Sequence, residues 1–188
     1  MGKIVVAIPY WESDPGKKEV LHECVHSLKG YDTLLVVAGK QPTLSLAWNM
    51  CLEIGFNMGA DYVVLSNDDI ILETGLISDL CKENTVVSPL VNGNTWKKFH
   101  AHIFSLPRTV YEKIGNFDER FQVYWADTDY CKRLVDAGIP IETNDGVNVL
   151  HKESARTLKH FAGITEVSDR DKFVQKWGRE WFDPSLGR

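Results

Sequence analysis

The stretch VVLSNDDIIL, Val63–Leu72, sets two adjacent carboxylates, Asp68 and Asp69, and the amide of Asn67 inside an apolar run that otherwise reads as a buried strand. Unpaired charge is costly to bury, so both carboxylates need partners or an open edge. A metal ion, a sugar hydroxyl or a helix N-terminus would each serve. Upstream the chain alternates: KIVVAIPY as strand, GKKEVLHECVHSLKG as helix, DTLLVVAG as strand, SLAWNMCLEIGFNMG as helix, then DYVVLSND as strand. Such a βαβαβ opening with continuous apolar strands is the pattern of a parallel sheet covered on both faces. Ligands of such sheets bind beyond the carboxyl ends of the strands. Residues Pro9–Glu12, Ala38–Lys40 and Asn67–Asp69 occupy those ends and are expected to converge on one crevice.

Downstream, ISDLCKEN reads as a short helix, TVVSPLV as a strand, NGNTWKKFH as a polar turn and AHIFSLP as another strand. A short helix RTVYEKIG, the segment NFDERFQVYW and a helix DTDYCKRLVDAG closed by Gly138 follow. IPIETNDGVNVLH is expected to be the last core strand, and VSDRDKFVQKWGREWF a terminal amphipathic helix. No internal repeat or low-complexity tract is visible.

The 188 residues suit one α/β domain. The net charge of -5 is spread along the chain, which weighs against a nucleic-acid backbone as the main partner. With no long apolar run and no signal-peptide pattern, the expectation is a cytoplasmic protein without a membrane span. Cys24, Cys51, Cys81 and Cys131 have neither disulfide nor zinc-site spacing and read as free thiols. Oligomeric state is not legible.

Three clusters carry candidate chemistry. In the first, Asp68 either caps a helix or, with Asp69, offers hard oxygen ligands to a Mg²⁺ or Mn²⁺ ion that keeps positions open for phosphate. In the second, Asp127 and Asp129 either serve the first turn of a helix as cap and macrodipole partner, or include a general base beside Trp125, Tyr124, Phe121 and Phe117. In the third, His151 is either structural or an imidazole ligand, flanked by Lys152 and Arg156, which suit a diphosphate.

Together, SLAWNMCLEIGFNMGADYVVLSNDDIIL, YEKIGNFDERFQVYWADTDYCKRLVDAGIPI and VNVLHKESAR resemble, in order and over about Ile4 to Arg156, the conserved stretches of family 2 glycosyltransferases. The resemblance implies a GT-A fold with a mostly parallel sheet, a nucleotide-sugar donor, a divalent metal bound at a DXD-type motif, an acceptor glycan or other hydroxyl, and inversion at the anomeric carbon. By position, Asn67 and Asp68 would face the donor, Asp69 and His151 would hold the metal, and Asp127 would be the base. Pro9, Tyr10 and Glu12 would border the nucleotide, and Lys152 and Arg156 would add positive charge near its phosphates. Trp125 and Asp129 would meet the acceptor. The implied division is a nucleotide-sugar half over about 1–92, an acceptor half over about 93–165 and a C-terminal helix over about 166–183, in a compact enzyme of phage or bacterial type. Ala126 stands where many relatives have a glutamate, and VVAGK lacks the aspartate that often reads a uracil edge.

Two other functions compete. A nucleotidyltransferase would want a Gly-rich basic loop after the first strand, and IPYWESDPGKK has the lysines but a poor glycine pattern. A non-catalytic nucleotide- or sugar-binding module could share the fold. A modified DNA base is among the acceptors open to such an enzyme, and the acidic net charge disfavours it.

Overall fold

The computed structural model describes residues 2–11, 16–39, 41–94, 99, 101–152, 166–183 and 186. One sheet of seven strands organises the chain in the order β2-β1-β3-β6-β5-β7-β4. The strands are β1 Ile4–Tyr10, β2 Thr33–Ala38, β3 Tyr62–Ser66, β4 Ile70–Thr74, β5 Val86–Val91, β6 Ile103–Pro107 and β7 Ile141–His151. Helices α1 Lys17–Ser27 and α2 Leu44–Asn57 are the crossovers that make β1, β2 and β3 parallel, as the alternating sequence predicts. Because β6 is antiparallel to β3 and β5, β7 parallel to β5, and β4 antiparallel to β7, five of the seven strands share one direction. The expected mostly parallel α/β sheet is what the chain forms.

Alternation along β1 explains the two-sided core. Val5 and Ala7 face one layer with Trp48, Leu52 and Phe56 of α2, while Ile4, Val6 and Ile8 face the other with Cys24 and Leu28. Strands buried on both faces carry no polar side, hence the unbroken apolar runs. Gly55 lets α2 approach β3 closely, since a Cβ there would come within 2.8 Å of Val63 Cγ2.

Three readings need correction. A helix was expected over ISDLCKEN, but only a single 3-10 turn, Ile77–Leu80, forms. No helix follows Asp68 for it to cap, because Ile70–Thr74 pairs as an edge strand with β7. Strand β7 is less of a core strand than expected: of its residues only Val147 and Val149 are buried, and its register with β5 shifts between Pro89 and Leu90. The remaining helices are α3 Arg108–Ile114, α4 Ala126–Asp136 and α5 Glu166–Trp177.

Candidate functional site

The carboxyl ends of β1, β2 and β3 border an open crevice lined by Pro9, Tyr10, Trp11, Val37, Gly39, Gln41, Asn67 and Asp68. From the helical side Lys17, Thr43, Leu44 and Ala47 complete it. The three strand ends therefore meet as the parallel reading predicts. Glu12 and Lys40 lie outside the described residues.

The two carboxylates of the opening stretch each have an internal cationic or imidazole partner. Lys17 Nζ stands 3.3 Å from Asp68 Oδ2, with the side chains only 9% and 12% exposed. Burial pushes the Asp68 carboxyl above its ordinary range, the Lys17 ammonium pulls it back, and the Asp69 charge raises it further. Asp69 Oδ1 lies 3.2 Å from His151 Nε2. That meeting is a consequence of sheet register: antiparallel pairing sets Ile70 opposite His151, and the Lys152 N–H donates to the Asp69 carbonyl at 3.0 Å. His102 then stacks on His151, with ring centroids 4.0 Å apart and planes at 23°.

Among the described residues no group of three or more His, Cys, Asp or Glu side chains is poised around one point. Asp69 and His151 nonetheless supply one carboxylate oxygen and one imidazole nitrogen side by side, a donor set that suits Mn²⁺ and leaves positions for phosphate oxygens. Lys152 turns its ammonium toward Glu23 of α1. Arg156 lies outside the described residues.

The second acid cluster is built differently. Asp127 is half-buried in the first turn of α4, where its Oδ1 accepts the Thr128 N–H at 2.8 Å. Trp125 precedes it at φ 61, a left-handed conformation that costs a bulky residue about 1–3 kcal/mol. Its ring packs on Phe173 at 5.0 Å. Asp129 is 0% exposed, and its oxygens take Arg133 Nε at 3.0 Å, Lys176 Nζ at 2.6 Å and the Trp177 indole N–H at 2.9 Å. An acceptor cannot reach a carboxylate so enclosed. The expectation that Asp129 meets the acceptor therefore gives way to an internal anchor for α5.

The segment carrying Asp127 is tied to the crevice through α2. Leu44, which lines the crevice, donates its N–H to the Gln122 carbonyl at 2.8 Å, and the Ser45 hydroxyl donates to the Phe121 carbonyl. Asn49 holds Phe117 from both sides, accepting its N–H at 2.8 Å and donating to its carbonyl at 3.0 Å. From the opposite direction, Asp169 of α5 accepts the N–H groups of Gln122, Val123 and Tyr124, each at 3.0 Å. Lys17, His102 and Asp169 escape a reading by motif. Lys17 looks like half of a solvated lysine pair, His102 looks like the polar start of the strand AHIFSLP, and Asp169 looks like an ordinary first-turn acid.

With this geometry in hand, the fold is that of glycosyltransferases. The chain superimposes over 98% of its length on 66% of the chain of the mannosyltransferase PcManGT from Pyrobaculum calidifontis, solved in complex with GDP-Man and Mn2+, at a TM-score of 0.63 and 13% identity. It thus spans slightly less than two thirds of that protein. A glycosyltransferase involved in the glycosylation of the major capsid of PBCV-1 matches over 84% of this chain and 97% of its own, with a TM-score of 0.54 and 8% identity. No family model matches the chain, and no curated protein does. Among the described residues no helix is long and apolar enough to cross a membrane.

Proposed function

We propose that this chain is a glycosyltransferase of family 2 type that moves a hexosyl group from a nucleotide sugar to an acceptor hydroxyl with inversion. The observation that carries the reading is the convergence of three parallel strand ends on a crevice bearing Asp68, with Asp69 and His151 set against each other beside it. The complex of a fold neighbour with GDP-Man and Mn2+ supports the same donor chemistry.

In this reading Pro9, Tyr10 and Asn67 border the nucleotide and Asp68 faces the donor ribose or sugar. Asp69 and His151 hold the divalent ion. When bound, that ion offsets charge developing on the leaving diphosphate. Lys17 fixes the Asp68 carboxylate and contributes a fixed positive charge to the crevice wall. Asp127 accepts the proton of the attacking acceptor hydroxyl, and the bonds from Asn49, Leu44 and Asp169 hold its segment beside the crevice. Trp125 offers an apolar face to the acceptor. Residues to about 92 form the donor half and those to about 165 the acceptor half.

Incubation with a panel of nucleotide sugars and Mn²⁺, with and without chelator, tests this. Slow metal-dependent donor hydrolysis that releases nucleoside diphosphate is expected, and it should vanish in Asp69→Ala. Release of pyrophosphate would point to nucleotidyl transfer instead. Equal nucleoside diphosphate binding with chelator and in Asp69→Ala would remove the metal assignment.

A further inference from the structure

We propose that His102 is a positioning residue that fixes the His151 imidazole for the cation, an inference that rests on the metal reading above. Two attachments of His102 carry it. Its backbone carbonyl accepts the Asn67 N–H at 2.8 Å, which fastens the turn that presents Asp68 and Asp69. Its ring lies flat on the His151 ring at 4.0 Å. One residue therefore holds the carboxylate turn with its main chain and the imidazole with its side chain.

His151 needs such a hold. Its backbone is secured, since its N–H donates to Asn92 Oδ1 at 2.8 Å and the residue pairs with Ile70. Those bonds leave the ring free about its second side-chain torsion, which for histidine is broad and nearly two-fold. A swing of the ring out of its plane about that torsion would carry Nε2 away from Asp69 Oδ1. The stacked face of His102 restrains the imidazole to the plane in which Nε2 stays 3.2 Å from that oxygen. Groups outside the ligand set that fix the orientation of a metal-binding histidine typically change metal affinity by about 10–100-fold when removed, and a stacked ring that fixes the imidazole plane acts on the same orientation.

The test compares His102→Ala with His102→Phe, which keeps a flat ring and removes the nitrogens. Mn²⁺ binding to the whole protein is titrated directly, and the ring ¹H–¹⁵N signals of His151 are recorded in metal-free protein. His102→Ala should weaken Mn²⁺ by about 10–100-fold and broaden the His151 signals, whereas His102→Phe should stay within about threefold of wild type. A His102→Phe protein as weak as His102→Ala would overturn the proposal, because the nitrogen and not the stack would then matter. Wild-type affinity and unchanged His151 signals in His102→Ala would overturn it as well. Wild-type protein that takes up no Mn²⁺ would instead strike the metal reading itself, and the purpose of His102 with it.

Discussion

The acid pair Asp68–Asp69 and the acid pair Asp127–Asp129 look alike in sequence, each sitting where one element ends or another begins, yet the fold treats them in opposite ways. At the strand end Asp68 lines the crevice against Lys17, and Asp69 lies beside it against His151. At the helix start the pair is divided. Asp127 keeps a half-buried position beside the aromatic segment, while Asp129 is sealed by Arg133, Lys176 and Trp177. Complete burial behind three partners closes Asp129 to any ligand, whereas Asp68 keeps its place on the crevice wall. Proximity of acids in sequence therefore marks a place where charge is needed and says nothing of whether it serves chemistry or cohesion.

The largest effect expected from this contrast is at Asp127. Asp127→Asn keeps the size of the side chain and its hydrogen bond to Thr128, so urea unfolding should be nearly unchanged. Sugar transfer should fall by about 10²–10⁴-fold through loss of the basic oxygen. Near wild-type transfer in this variant would mean that both members of the pair are structural, and the contrast between the two would collapse.

Asp129 should behave in the converse manner. Removing a sealed carboxylate leaves the Arg133 and Lys176 charges facing each other across a buried site, which typically costs about 3–5 kcal/mol. Asp129→Ala should lower the urea midpoint accordingly, and whatever folds should still bind nucleoside diphosphate, because the crevice lies on other elements. A stable Asp129→Ala protein that has lost all transfer would reverse the assignment within the pair.

How far the sequence reaches differs between these sites for physical reasons. Strands β1, β2 and β3 are legible because double-sided burial writes itself as continuous apolar residues, and the crevice follows from where parallel sheets bind ligands. The partnership of Asp69 with His151 depends on the register of β4 on β7, a long-range pairing that no local spacing encodes. Burial of Asp129 and the three bonds made by Asp169 are equally non-local, because both depend on where α5 docks. Thus β3 announces the acids, whereas only tertiary contact distinguishes the ones that are consumed.

A smaller effect concerns the rim of the same acceptor-side cluster, where Asp118 meets Arg120 and Lys176. The paired Arg120 guanidinium holds the Asp118 carboxyl well below the usual carboxylate range, burial opposes it, and Lys176 adds to the lowering. A folded-state pKa that is depressed contributes stability above the ordinary carboxylate value and loses it as pH falls toward the depressed one. Stability measured by urea at pH 6 and at pH 3 should therefore drop less in Asp118→Asn than in wild type, with solvent screening keeping the difference under about 1 kcal/mol. An equal acid-side drop in both proteins would show that this ion pair carries no stability.

The smallest effect expected is none, and it tests whether the turn under Asp68 and Asp69 is as fixed as the contrast requires. Cys24 lies beneath that turn, its Sγ–H directed at the Asn67 carbonyl at 3.7 Å. Burial pushes its thiol up to about 12, and the charges of Asp68 and Asp69 act in the same direction. Burial likewise raises Cys51 to about 12 and Cys81 to about 11. Since the thiolate is the reacting form, a disulfide reagent at pH 8 should leave Cys24 unlabelled in native protein, while all four free cysteines should react after unfolding. Rapid native labelling of Cys24 would require the turn to lift away from α1, exposing the thiol and parting Asp68 from Lys17. In that event the two acid pairs would differ in mobility rather than in how their oxygens are engaged, and Lys17→Met, which removes a contact that the opening breaks, should then speed the labelling further.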